Sequence, residues 1–411
     1  MARQTFRTLR AVTIAAAARL TLASPTLWTQ LARENATQGP APRLGAASLG
    51  TPAALFLSGG CSSSCCYAPL SDLWVFAGGA WTNVSQAGAP EGRLYHGASP
   101  AGLADAYYVF GGTDVINGSL AELYLVTVAP SASPPTAAWQ LLGGGGGPLP
   151  PARASHSQSA LPARAPGGAP DGSFLIFGGE DVDGNALGDT WRFSPQGGSG
   201  GSGSWAPMEP ATGAPAPAPR TQHAALGLAL GGGARAVVVS GGMDSVGVGS
   251  DEVWALAVDV APPQWLLLGA TDGGSGATWP APRHGHALWG STVQGAAPGN
   301  VALTMYLFGG WNSSVPDPAN FLGDTWRFDV TLHVAADGSL ALAGGAQGRF
   351  TLLDAGGSGA GEPSPRALGA FASAGAQLLY AGGFSGYNGG TDDRLLNDVW
   401  EAVVTSSAPK E

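Results

Sequence analysis

Arginine, acid and histidine recur along this chain at matching points, and together they could bind an anion or move a proton. The arginines are Arg43, Arg93, Arg153, Arg220, Arg283 and Arg366, and four are followed three residues later by a histidine, at His96, His156, His223 and His286. The acids each stand two residues before an aromatic: Asp72 with Trp74, Glu122 with Tyr124, Asp189 with Trp191, Glu252 with Trp254, Asp324 with Trp326 and Asp398 with Trp400. An unpaired ring of guanidinium groups would suit anionic sugars or acidic peptides. Because arginine and acid recur together in every unit, the expectation is instead that each arginine is neutralised by the repeat's Asp or Glu in a partly buried ion pair. Histidines spread around a ring by a repeat do not bring ligands within about 2 Å of one metal. His284 and His286 are expected on one strand face, the pair a transition metal would use; the reading is nevertheless no metal, no cofactor and no catalytic residue. Cys61, Cys65 and Cys66 crowd one loop, where the CSSSCC spacing fits no common zinc framework. That loop holds either one local disulfide with an odd thiol or a reduced cluster.

The elements that position these groups are equally regular. Six apolar runs stop at a Gly-Gly pair, LFLSGG at Gly60, YYVFGG at Gly112, FLIFGG at Gly179, VVVSGG at Gly242, MYLFGG at Gly310 and LLYAGG at Gly383. Short runs of Val, Leu, Phe and Tyr bounded by glycine read as strands buried on both faces. Lone aromatics follow at Trp81, Trp139, Trp205, Trp265 and Phe350, marking a further strand in five units. A repeat of this length cannot bury its own face and must stack on copies of itself. The sixth unit runs out of chain after its Trp400 strand, whereas Leu27 to Leu31 reads as an orphan outer strand. Residues 26–31 are therefore expected to complete the last unit and remove an open edge.

This register resembles the kelch motif from about Trp28 to Val404. The resemblance implies an all-β chain, a six-bladed kelch-type β-propeller of four-stranded blades with the ring closed by the N-terminal strand. Kelch propellers serve as binding modules, actin-associated proteins and ubiquitin-ligase adaptors, and occasionally as enzymes. Copper-radical oxidases share the propeller, but their cofactor needs a tyrosine joined to a cysteine, and these cysteines crowd a single loop. The leading function is a non-catalytic binding module that presents variable loops for a protein partner with basic or apolar features, or for a glycan. The alternative is a sugar-active enzyme, oxidase- or epimerase-like, with a pocket at the channel mouth. Candidate binding residues in the loops after Gly-Gly are Tyr67, Asp114, Glu180, Asp183, Asp244, Trp311, Phe384, Tyr387, Asp393 and Arg394. Trp311 with Phe384 and Tyr387 would form an aromatic anchor.

Composition narrows the partners. Sixty-six glycines, 32 prolines and only 11% charged residues fit short strands joined by turns. A net charge of -10 with one lysine argues against nucleic acid, and no apolar run is long enough for a spanning helix. A monomeric propeller over 25–405 is expected, with 406–411 as a tail. Met1 to Ser24 carries Arg3, Arg7, Arg10 and Arg19 around an apolar stretch, and reads as a signal or targeting segment. Four sequons, at Asn35, Asn83, Asn117 and Asn312, support the secretory pathway or extracellular space. The alternatives are a plastid or mitochondrion, read from the arginines, and the cytoplasm.

Overall fold

Five Gly-Gly signatures end the second strand of an antiparallel sheet, while in blade six that strand, Gln377–Asn388, runs on past Gly383, and six such sheets follow one another along the chain. In this computed structural model the described residues are 27–404, apart from 34–37, 52–53, 64–65, 115, 144–146, 166, 197–201, 272–278, 317–319, 357–360, 375 and 389–391. The N-terminal segment 1–24, Asn35, Cys65 and the tail 406–411 therefore lie outside the described residues. The innermost strands are Ala47–Thr51, Gly97–Pro100, Ser157–Ala160, Ala224–Gly231, Ala287–Gln294 and Ala370–Ala374. Each contacts the next and the last returns to the first, so the sheets close into the ring of a six-bladed β-propeller.

Closure follows the expected route. Trp28–Ala32 pairs antiparallel with the third strand of blade six, Trp28 opposite Ala402 and Gln30 opposite Trp400. The strand sits slightly later than the expected 26–31. Trp28 buries its ring 4.5 Å from Phe308 of blade five, and its indole N–H donates to Thr325 Oγ1 at 3.3 Å. The anchor of the closing strand thus also joins two blades. Blade two carries an addition: Ser85–Ala87, which leaves blade one, pairs in parallel with the outer strand Thr136–Leu142.

Burial on both faces explains the apolar runs. Ala106–Phe110 and Phe174–Phe177 are buried at every position. Aromatics from adjacent blades interleave, with Phe110 5.0 Å from Trp205 and Phe177 5.1 Å from Trp265, distances at which offset or edge contacts are favourable.

The Gly-Gly pair is needed for backbone approach. Its first glycine has φ between 61 and 67° in all six blades. A Cβ there would sit 2.4 to 2.6 Å from the next blade's arginine carbonyl in five of the six, for example 2.5 Å from Arg283 O at Gly241. The second glycine donates its N–H to that same carbonyl, as Gly60 does to Arg93 O at 2.9 Å and Gly383 to Arg43 O at 3.1 Å. The pair is therefore a blade-to-blade joint.

The three tryptophans outside the repeat are packing residues. Trp279 lies edge-on to Phe350 at 4.7 Å, Trp289 is fully buried in blade five, and Trp311 stacks on Phe321 at 5.4 Å.

Candidate binding face and channel mouth

The repeat charges meet in six nodes at the Gly-Gly end of the blades. Arg43 bonds both oxygens of Asp72 at 2.6 and 2.8 Å. The same pairing recurs as Arg93–Glu122 at 2.8 Å, Arg153–Asp189 at 2.7 Å, Arg220–Glu252 at 2.6 Å, Arg283–Asp324 at 2.6 Å and Arg366–Asp398 at 2.5 Å. In each node the arginine Nη1 also donates to the carbonyl of the first glycine, at 2.8 to 3.2 Å. Five acids accept the indole N–H of the aromatic two residues on, as Asp189 does from Trp191 at 2.7 Å. In the remaining blade Arg93 lies 5.3 Å from the ring of Tyr124. The Asp-x-Trp spacing thus turns the carboxylate and the indole toward each other on one strand. Burial alone would raise the Asp72 and Asp189 carboxyls, but hydrogen bonds and charge from Arg43 and Arg153 outweigh it and hold both below the usual range. No repeat arginine presents an unpaired charge.

Two residues beyond each arginine the backbone takes positive φ, at Gly45, Tyr95, Ser155, Gln222, Gly285 and Leu368. The N–H of each donates to the carbonyl of the one before, from Tyr95 to Gly45 at 2.8 Å round to Gly45 and Leu368 at 3.1 Å. These bonds form a closed backbone ring around the axis, and the left-handed conformation of four non-glycine residues is held by it. The cavity beside this ring is about 290 Å³, with Tyr95, Ser155, Gln158, Gln222 and Phe371 among its walls.

One position further on, the histidines wedge between blades. A Cβ on the first glycine of the preceding blade would meet the imidazole Cε1 at 2.7 to 3.1 Å for His96, His156, His223 and His286. All four are buried. Burial, with the adjacent arginine next, pushes His96 and His223 down to about 3 and holds His156 and His286 well below the ordinary value. These imidazoles are neutral at physiological pH. His223 alone of the four finds a side-chain partner among the described residues, Ser157 Oγ at 2.9 Å, on the preceding blade. The slot that Ser157 occupies holds Gly97 facing His156 and Ala224 facing His286. Ala224→Ser is therefore expected to stabilise the protein by about 1 kcal/mol, and Ser157→Ala to destabilise it similarly, as read by urea unfolding.

His284 and His286 do not share a strand face. Gly285, at φ 64°, turns the chain between them ahead of the strand, and His284 Nδ1 bonds Gln222 Oε1 at 2.8 Å. Among the described residues no three His, Cys, Asp or Glu side chains are grouped to hold a metal ion. Cys61 and Cys66 form a disulfide.

The loops after Gly-Gly sort the candidate binding residues. Phe384 is only 2% exposed, packed under the loops with Leu44, Leu94, Phe321 and Leu395, and half-buried Trp311 joins that cluster. The expected aromatic anchor is corrected accordingly: these rings form a small core, because neighbouring loops fold over them. The backbones of Tyr387 and Asp393 pair across a hairpin, while their side chains lie outside the described residues. Tyr67, Asp183 and Arg394 are exposed. Glu180 is half-buried and accepts from Ser155 Oγ at 3.0 Å; burial raises its carboxyl. Asp114 and Asp244 cap their own loops, Asp114 accepting the Ile116 N–H at 2.8 Å and Asp244 the Val246 N–H at 3.0 Å. Asn83 and Asn117 are exposed, whereas Asn312 is buried.

Those turns lift residues that the sequence reading did not single out. Ile116, Val182 and Val246, on blades two, three and four, are 80, 67 and 83% exposed. Adjacent loops are tied together, Ser119 Oγ donating to Glu180 O at 3.4 Å and the Ala186 N–H to Ser245 Oγ at 2.8 Å. The available signal was an aliphatic residue one or two places after an aspartate inside an otherwise polar loop. No family model matches the chain, and no curated protein does.

Proposed function

We propose that this propeller is a kelch-type, non-catalytic binding module that takes a protein partner on its Gly-Gly face. The observation that carries this reading is the aliphatic crest of Ile116, Val182 and Val246, set among Asp114, Asp183 and Asp244 and held by bonds between loops. A single exposed aliphatic residue is ordinary, but three aligned on adjacent blades are a patch of the kind that interfaces cover. The surrounding acids favour a partner with basic and apolar features, and paired repeat arginines leave the face without a competing cation ring. Secretion fits the Cys61–Cys66 disulfide and the exposed sequons at Asn83 and Asn117.

Affinity capture from the native host, with the wild-type propeller beside an Ile116→Ser, Val182→Ser, Val246→Ser triple variant, tests the reading. A saturable partner should be retained by the wild type and lost by the variant at an unchanged melting temperature. Identical recovery by both would refute the crest as the interface.

A further inference from the structure

One arginine is drawn into the protein without an acid to hold it. Arg192 lies on the third strand of blade three, Thr190–Pro195, half-buried, and its buried Nε has no hydrogen-bond partner. Among the described residues the six repeat arginines, Arg164, Arg235 and Arg327 each pair with an acid. Arg33, Arg349 and Arg394 are exposed, where water solvates them. Arg192 makes no such ion pair, and Asp171 and Asp259 act on it only through charge at a distance.

It opens into a cavity of about 510 Å³ between blades three and four. The cavity lies between the turn after the blade-four strand Val253–Ala257 and the end of the blade-three strand Gly203–Pro207. Its apolar wall includes Pro207, Met208, Val258, Val260 and Pro263, and Arg164 is also among its lining residues. The nearby aspartates are already engaged. Asp259 accepts from Arg164 at 2.7 Å and from Arg235 at 2.9 and 3.1 Å. Asp171 accepts the Ser173 N–H at 2.9 Å and faces Arg235 at 3.6 Å. Glu209 is an exposed side chain at the cavity. Burial first, then Arg235, lowers the pKa of Arg192 from the usual arginine value, and the attraction of Asp171 and Asp259 does not outweigh them, so its charge is only partly compensated where it stands.

We propose that this cavity binds a carboxylate carried on a small apolar body. The carboxylate oxygens would accept from the Arg192 guanidinium in its planar fork, while Met208, Val260 and Pro263 cover the apolar part. Such a group arrives either as a free aliphatic acid or as the C-terminal carboxylate of a peptide ending in an apolar residue. None of Ile116, Val182 and Val246 lines this cavity, so its failure would leave the proposed function standing.

Calorimetric titration of the intact protein compares hexanoate with hexanol, and a short peptide ending in leucine with its C-terminal amide. Both acids should bind and both neutral partners should bind at least tenfold more weakly, the loss of a charge-assisted contact. Tighter binding by the peptide assigns the chain-end source, and tighter binding by hexanoate the free acid. Arg192→Gln should remove acid binding while retaining or raising the melting temperature, because an only partly compensated charge is gone. Glu209→Gln should leave acid binding intact or strengthen it. Absence of binding by either acid at millimolar concentration, or equal binding by the Arg192→Gln variant, overturns the proposal.

Discussion

Acidification from pH 7 to pH 5 should remove about 8 kcal/mol of stability, most of what a domain possesses. The cause is the four wedge histidines. In the folded chain burial keeps their pKa values far down, about 3 for His96 and His223, whereas the unfolded chain binds protons near 6.5. For a base whose folded pKa is depressed, the stabilisation is complete above the unfolded value. It is lost as pH falls from about 6.5 toward the folded value, because only the unfolded state takes up the proton. Each such histidine loses about 0.7 kcal/mol between pH 7 and 6 and about 1.2 kcal/mol between pH 6 and 5, so four acting together give about 8 kcal/mol over the two units. His284, lowered to about 4 by burial, adds to the same slope. The carboxylates held low, such as Asp72 and Asp189, enter only below their unfolded pKa near 4.

Urea unfolding at pH 7.5, 6.5 and 5.5 reads the slope directly. Blades one and six carry Ala46 and Gly369 where the other four carry histidine, so His96→Ala is a variant the architecture already accommodates. It should lower the slope by about a quarter of the four-histidine total. An unfolding midpoint that stays level between pH 7.5 and 5.5 would mean that the folded state accepts these protons, and the wedge account would fail.

Asp398→Asn in blade six should destabilise the protein by about 3 to 5 kcal/mol, the loss expected when one partner of a buried ion pair is removed. Its carboxylate side chain is 5% exposed, clamped by Arg366 at 2.5 and 3.0 Å and by the Trp400 indole at 2.7 Å. Asparagine keeps the shape but leaves the Arg366 charge buried and unmatched. Glu122→Gln in blade two removes the same partner in a node whose acid is 43% exposed, where solvent screens the remaining charge. Its expected loss is about 1 kcal/mol or less. The contrast separates burial from pairing as the source of the energy. A double Arg366→Met, Asp398→Leu variant should recover much of the single-variant loss, since an apolar pair leaves no orphan charge. Equal losses at Asp398 and Glu122 would show that the nodes contribute through geometry alone.

Periodicity made the architecture legible. Six Gly-Gly strands, their arginines and their acids repeat in register, and a property set by repetition can be counted without coordinates. The closing role of Trp28 was visible because one unit lacked an outer strand and one strand lacked a unit. The arginine–acid nodes followed from the same count, since two residue types recurring together at one sheet end must face each other.

Residues outside the period were not legible in that way. Phe384 and Trp311 looked like free anchors because they sit in loops, yet the loops of blades five, six and one pack over them. Ile116, Val182 and Val246 looked unremarkable, yet the aspartate turns raise them into solvent. His284 and His286 alternate in sequence, but the positive φ of Gly285 breaks the strand geometry that alternation assumes. Arg192 gave no signal, since its lack of an acid partner depends on where blade four places Asp259.

The sequence by itself determined the propeller, its blade number, its seam and the pairing of its repeat charges, because each is a property of identical neighbours stacked in a ring. Only the tertiary structure decided which side chains are left for function. Exposure, and the presence or absence of a charge partner, depend on contacts between unlike loops and blades far apart in the chain, and no repeat encodes those.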